Sequence, residues 1–347
     1  MRNLIERLYR EQTLPPDKLR ILLTRCDTEH LSLIRQKACE VAQAHFGNRI
    51  YIRGLIETGN CCHNDCYYCG IRRSNRHIER YRLTKEDILS CCQEGYTLGF
   101  RTFVMQSGED VRASDEQMID LIATIRQNYP DVAITLSLGE KDTDTYRRFY
   151  EAGANRYLLR HETHNRQHYH LLHPEKMSLS NRIRCLNDLK EIGFQTGTGI
   201  MVGSPGQTVD HLIEDILFIE DFRPQMIGIG PFLPHHDTPF ANQPAGSLKQ
   251  TLLLLSIFRL MHPQALIPST TALATLVPDG REQGILSGAN VVMPNLSPPL
   301  QRHKYALYDN KASMGAEAAE GLKLLEERMQ NIGYTIDKSR GDYSETN

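Results

Sequence analysis

Tyr51-Ile-Arg-Gly-Leu-Ile-Glu57 runs almost directly into Cys62-His-Asn-Asp-Cys-Tyr-Tyr-Cys69. A short apolar run that ends in three thiols spaced C-x3-C-x2-C reads as a strand carrying soft metal ligands at its C-terminal end. Thiolates so grouped suit zinc or an iron–sulfur cluster. A structural zinc takes four ligands, whereas a [4Fe–4S] cluster has four irons, so three thiolates leave one iron open. A zinc knuckle completed by His63 or Cys61 is the competing reading.

Outward from this stretch, strand-like runs alternate with helical patterns. The runs are Ile50–Ile56, Thr102–Gln106, Ala133–Leu138, Arg156–Arg160, Gln195–Val202, Met226–Phe232, Ala265–Ser269 and Asn290–Met293. Helices are predicted near Lys85–Leu98, Ser114–Gln127, Asp142–Ala152, Ser180–Ile192, Thr208–Asp221, Leu248–Met261 and Arg281–Ser287. Thr84 before Lys85-Glu-Asp87 is an N-cap signal, and Gly99, Gly153 and Gly193 are stop signals. About eight strand-then-helix units predict a parallel (β/α)8 barrel, with a doubly wound α/β sheet as the alternative. The cysteine loop then lies on the face where barrel active sites gather.

Before the first strand, leucines from Leu4 to Leu33 and then Ile34, Ala38, Val41 and Ala42 recur at three- and four-residue steps. The expected organisation is a helical extension over 1–48, a barrel over 49–310 and a C-terminal helical tail over 311–347. With 347 residues and 40% hydrophobic content the chain can bury a large core. Its net charge of −2 and lack of like-charge blocks argue against nucleic-acid or membrane-surface binding. No segment approaches the ~20 apolar residues of a membrane span, and no secretory leader is evident. Nine cysteines, six of them scattered, do not form a disulfide framework, which points to a reducing cytoplasm.

Other strand ends carry further signals. Met105-Gln-Ser-Gly-Glu-Asp110 places small residues and acids where a ligand amine could sit. Arg160-His-Glu-Thr163 puts charges directly after an apolar strand, where they are either paired or hold a ligand. Gly197-Thr-Gly-Ile-Met-Val-Gly-Ser-Pro-Gly-Gln-Thr208 lacks the lysine of a phosphate loop. His235, His236 and Asp237 are adjacent, and neighbours on an extended chain point apart, which argues against a second metal site.

Taken together, Cys62-x3-Cys66-x2-Cys69-Gly-Ile-Arg-Arg, Met-Gln-Ser-Gly-Glu-Asp, Leu-Ser-Leu-Gly-Glu, Arg-Tyr-Leu-Leu-Arg-His-Glu-Thr, Met-Val-Gly-x-Pro-Gly-Gln-Thr and Gly-Ile-Gly-Pro-Phe-x-Pro-His-x-Asp-Thr-Pro resemble the HydE family of radical S-adenosylmethionine (SAM) maturases. The likeness runs from about Arg53 to about Tyr308. It implies a full radical SAM (β/α)8 TIM-type barrel. It also implies reductive cleavage of SAM to a 5′-deoxyadenosyl radical, in assembly of the di-iron subsite of [FeFe]-hydrogenase. Related barrel enzymes such as methylornithine synthase, a lysine mutase, are the alternative. Biotin synthase needs extra cysteines in the barrel lumen, which the strand ends beyond Cys69 do not supply.

By the same resemblance Cys62, Cys66 and Cys69 hold the cluster, and Tyr68 is the aromatic before the last ligand. Ser107, Gly108 and Glu109 face the SAM amine, while Ser137, Glu162 and Arg182 contact SAM. Arg53, Glu57, Thr135, Thr270, Thr271 and Tyr308 line a substrate cavity, with Arg160 and Tyr305 closest to the chemistry. The substrate is expected to be a small molecule or an iron complex. The implied partners are the HydF scaffold, HydG and an electron donor. Some members carry a second cluster on three C-terminal cysteines. Here no cysteine follows Cys185, so no second cluster is expected.

Overall fold

A computed structural model describes residues 1–344. Among the described residues there are eleven short strands: β1 (Arg49–Ile52), β2 (Gly54–Gly59), β3 (Thr102–Ser107), β4 (Ala133–Ser137), β5 (Arg156–Leu158), β6 (Gln195–Thr198), β7 (Met201–Val202), β8 (Met226–Ile227), β9 (Gly230–Pro231), β10 (Val291–Val292) and β11 (Thr335–Asp337). A parallel sheet runs β2-β3-β4-β5-β6-β8. It closes through single bridges, Met226 to Leu266, Pro268 to Val291 and Leu55 to Asn295. Residues 265–269 supply the seventh staff of the barrel through bridges alone. The expected closed parallel barrel is therefore present, and an open doubly wound sheet is excluded.

The first staff is kinked between Ile52 and Gly54 and feeds two pairings. β1 lies between β10 and β11, with Tyr51 opposite both Val291 and Asp337. β2 continues against β3 with Gly54 opposite Phe103. The fifth and sixth staffs are also broken, at 199–200 and 228–229. A Cβ on Gly199 would collide with the Gly228 carbonyl, so these strands approach closer than side chains permit.

Helices follow the sequence signals closely. The helix Lys85–Thr97 begins with a Thr84–Asp87 capping box and ends before Gly99 at φ +98°. Leu179–Ile192 ends at Gly193 in the left-handed region. Among the described residues the pattern missed three short helices, Arg166–Leu172, which is capped by the Asn165 side chain, Thr271–Leu276 and Pro299–Arg302. Leu248–Met261 is buried on every face from Thr251 onward. It lies between the barrel and the N-terminal helix Thr28–Phe46, whose Leu31, Ile34, Ala38, Ala42 and Phe46 are buried. The C-terminal segment adds the helix Leu322–Asn331 and then β11. Among the described residues no helix is long and apolar enough to cross a membrane.

Candidate functional site

The cysteine loop leaves the end of β2 and is fixed by backbone acceptors gathered on one guanidinium. Arg80 donates to the carbonyls of Asn60, Ile71, Arg72 and Asn75 at 2.5–2.9 Å. Asp65 accepts from Arg72 Nε at 2.7 Å and from Ser74 Oγ at 2.6 Å, which holds its carboxyl well below the usual range. Cys62, Cys66 and Cys69 line one cavity of about 330 Å3 at the top of the barrel. Burial and the neighbouring thiols push Cys66 and Cys69 up, the latter to about 12. Three protonated thiols packed this closely are what a cationic metal group would convert to thiolates. Cys61 faces the other way, with Sγ 3.8 Å from the Tyr81 carbonyl, and does not line the cavity.

The turn after β3 presses against this loop. A Cβ on Gly108 would stand 2.5 Å from the Cys61 carbonyl oxygen and 2.6 Å from Cys62 Cβ, so only glycine fits. Ser107 Oγ donates to the Gly108 carbonyl, and His63 N–H donates to the Glu109 carbonyl at 2.9 Å. The Glu109 carboxylate folds over Gly139 (φ +79°) and accepts from Glu140 N–H at 3.1 Å. Burial raises its pKa. Ser137, at the end of β4, completes this wall.

Opposite stand the charges that follow β5. Arg160 Nε donates to Glu162 Oε1 at 2.9 Å, and Glu162 Oε2 is buried without a partner. Arg182 is only 7% exposed, so it is no surface arginine. Its Nε donates to Glu140 Oε1 at 2.6 Å and its Nη1 to the Arg160 carbonyl at 2.7 Å. Tyr68 Oη lies 3.2 Å from His173 Nε2. On the remaining side Glu57, Thr270, Thr271, Tyr305 and Tyr308 line the cavity, and Thr270 Oγ1 has no partner.

Arg53 and Thr135 do not reach this cavity. By strand alternation they face inward one layer lower, two residues below Leu55 and Ser137. Arg53 Nε and Nη2 and Thr135 Oγ1 are buried and unpartnered. Nη1 of Arg53 meets Met226 Sδ at 3.2 Å, and burial pulls the guanidinium well down.

Three contributors went unseen in the sequence reading. Lys311 forms a buried ion pair with Glu57, and Asn295 Nδ2 donates to the other Glu57 oxygen at 2.9 Å. Glu140 orients Arg182. Glu140 closes the Leu-Ser-Leu-Gly-Glu stretch after β4 but carried no role of its own, and Lys311 follows no predicted strand. Arg80 is the third, hidden among the arginines that follow the cysteines.

His235 and His236 do not diverge as expected; their rings stack at 4.5 Å. Asp309 Oδ1 lies 2.6 Å from His236 Nδ1 and 4.0 Å from His235 Nε2. Asp237 instead pairs with His77 at 2.8 Å, and its N–H donates to His235 Nδ1. That bond puts the ring proton on Nε2, leaving His235 no free lone pair for a metal.

The donor set fits a three-cysteine cluster with one open iron: three thiols share a cavity, Cys61 is turned away, and unpartnered Glu162 Oε2 and Thr270 Oγ1 await a polar ligand there. The comparisons agree. Residues 56–219 match the radical SAM superfamily model. The chain is 42% identical to the [FeFe] hydrogenase maturase subunit HydE of Thermotoga maritima, over 89% of this chain and 88% of that one. It is 28% identical to 3-methylornithine synthase of Methanosarcina acetivorans over 94% and 92% of the two chains. The crystal structure of methylornithine synthase superposes with a TM-score of 0.86 at 27% identity, covering 96% and 97%. A structure of the maturase HydG shares the fold at TM-score 0.79 and 22% identity, covering 97% of this chain and 75% of that one. The sequence motifs, the closed barrel and the three-thiol cavity thus meet in one assignment: the chain is a radical SAM enzyme and belongs to the HydE family.

Proposed function

We propose that this enzyme acts in building the di-iron subsite of [FeFe]-hydrogenase, working on a small anionic or metal-bound substrate inside the barrel. The observation that supports it best is the cysteine trio opening onto a cavity whose walls carry fixed hydrogen-bond donors. When bound, the cluster and SAM supply an electron and a cleavable sulfonium bond, giving methionine and a 5′-deoxyadenosyl radical.

The chain's own residues do the rest. Cys62, Cys66 and Cys69 hold the cluster. Arg182, steered by Glu140, offers its remaining N–H groups to the methionyl carboxylate, while the Ser107-Gly108-Glu109 turn receives the amine. Ser137 contacts SAM from the wall. Glu162 Oε2 accepts from ribose hydroxyls, and Tyr68 packs beside the last cysteine. Arg160, Thr270, Thr271, Tyr305 and Tyr308 orient the substrate, with Glu57 fixed by Lys311. Arg53 and Thr135 line the lower part of the barrel interior and offer donors to an anion there. The buried walls keep these polar groups in a partly enclosed cavity, where their contacts are stronger than in open water. The enzyme works in the cytoplasm with HydF, HydG and an electron donor as partners.

The test is genetic and chemical. A host lacking this gene should make [FeFe]-hydrogenase protein that holds its ordinary cubane clusters and is inactive. The wild-type gene should restore activity and the Cys69→Ala gene should not. Active hydrogenase without the gene, or isomerisation of lysine by the purified holoprotein, would shift the reading to a methylornithine synthase.

A further inference from the structure

Glu162 reaches the cavity from a strained piece of backbone. It is a non-glycine residue at φ +65°, and the Thr163 N–H donates back to the His161 carbonyl at 2.8 Å. That i→i+2 bond around a positive φ is the γ-turn of the less common, strained kind. Such conformations persist only where the surroundings over-determine them. Here the surroundings lie outside the barrel wall. The Glu162 N–H donates to the Gly199 carbonyl at 3.0 Å on the neighbouring staff. His161, wholly buried, sits with Nδ1 2.8 Å from Thr198 Oγ1 and Nε2 3.4 Å from Asp215 Oδ1. Asp215, equally buried on the helix Val209–Phe222, also accepts from the His164 N–H. One carboxyl therefore bonds the backbone just after the turn and packs against the ring of the residue that opens it.

We propose that Asp215, acting with His161 and Thr198, is a positioning group for SAM: from behind the barrel wall it clamps the γ-turn that aims Glu162 at the ribose. The inference rests on Glu162 being the ribose acceptor. Neither Asp215 nor His161 lines the cavity, so neither touches SAM. Two atoms of the clamp, His161 Nε2 and Asp215 Oδ2, lack a standard hydrogen bond, and one carboxyl proton can serve the ring. Burial favours that arrangement, raising Asp215 to about 8 and lowering His161 to about 3. An asparagine side chain reproduces a protonated carboxyl in both shape and hydrogen bonding; a leucine reproduces only the volume.

The experiment compares binding of SAM and of methionine, which has no ribose, to the anaerobically reconstituted holoprotein. Asp215→Leu should weaken SAM about tenfold with unchanged iron content and unchanged methionine affinity. Asp215→Asn should bind SAM within twofold of wild type. Thr198→Val, which removes only the hydroxyl facing His161, should weaken SAM about threefold and keeps the question open to measurement if the leucine variant does not fold. A leucine variant that binds SAM as wild type does, or that loses methionine equally, overturns the clamp, as does an unaffected Thr198→Val. Glu162→Ala separates the two layers. If it leaves SAM affinity intact, the ribose assignment falls and the clamp with it. If it weakens SAM while Asp215→Leu does not, the ribose contact stands and only the clamp falls.

Discussion

Replacing Arg182 with alanine removes a guanidinium that already serves two protein acceptors and still has donors to spare. An arginine carries five N–H groups. One goes to Glu140 and one to the Arg160 carbonyl, so about three remain on the cavity side. A charge-assisted bond from them to a buried carboxylate is worth on the order of 2–4 kcal/mol when one partner is deleted. At about 1.4 kcal/mol per factor of ten, SAM binding should weaken roughly 30- to 700-fold. Stability pays separately, because Glu140 loses its cation but keeps its bond to Asn181. That puts the folding cost near or below the low end, about 3 kcal/mol, for breaking a buried pair. The assay is SAM binding to the holoprotein beside iron content and melting temperature. Arg182→Lys should fall between, since an ammonium cannot span both acceptors and the ligand. SAM affinity within threefold of wild type in Arg182→Ala, with the cluster intact, would refute the role.

Cys62→Ala, Cys66→Ala and Cys69→Ala should each abolish the cluster's visible absorbance, whereas Cys61→Ala should keep about four irons per chain; four irons in Cys66→Ala would contradict the ligand set. Arg160→Ala should retain the cluster and basal SAM cleavage yet fail to support hydrogenase maturation in cells. Lys311→Met leaves Glu57 buried with only Asn295, so denaturant unfolding should show a loss of about 3–5 kcal/mol, most of it recovered by adding Glu57→Gln; no recovery would mean the pair is not the cause. The buried acid gives a pH signature. Asp215 is raised from 3.8 to about 8, so its contribution is full at low pH and is lost as pH rises toward 8. His161 is lowered from 6.5 to about 3, so its contribution is lost as pH falls below 6.5. The two slopes oppose between about 4 and 6.5, leaving a net decline from about 6.5 to 8 of at most about 1.4 kcal/mol per pH unit. His164, His211 and Glu214 face Asp215, and Arg160, Arg182 and Glu162 face His161, but Asp215→Asn alone should flatten that limb of a melting-temperature profile.

What the sequence made legible was whatever has a local signature. The cysteine spacing, the N-cap at Thr84 and the terminating glycines each act over a few residues, and each appears where it was read. The stretches 195–202 and 226–232 read as continuous strands because no proline or charged residue interrupts either one before Pro231. Their breaks come from two backbones meeting at Gly199 and Gly228, a tertiary fact. Lys311 and Glu57 are 254 residues apart, and nothing local marks a lysine that folds into a cavity. The γ-turn at Glu162 was equally silent, since turns of positive φ announce themselves in sequence only through glycine or asparagine.

The placement of β1 between β10 and β11 bears on how the chain is made. This strand ends at Ile52, yet its two neighbours begin only at Val291 and Thr335. During synthesis its two edges therefore stand open until Val291–Val292 and then Thr335–Asp337 have emerged. The cysteine loop begins ten residues after β1. The ligands are thus made well before β10 arrives to close the first staff. A truncation just before Thr335 would leave one edge of β1 permanently open.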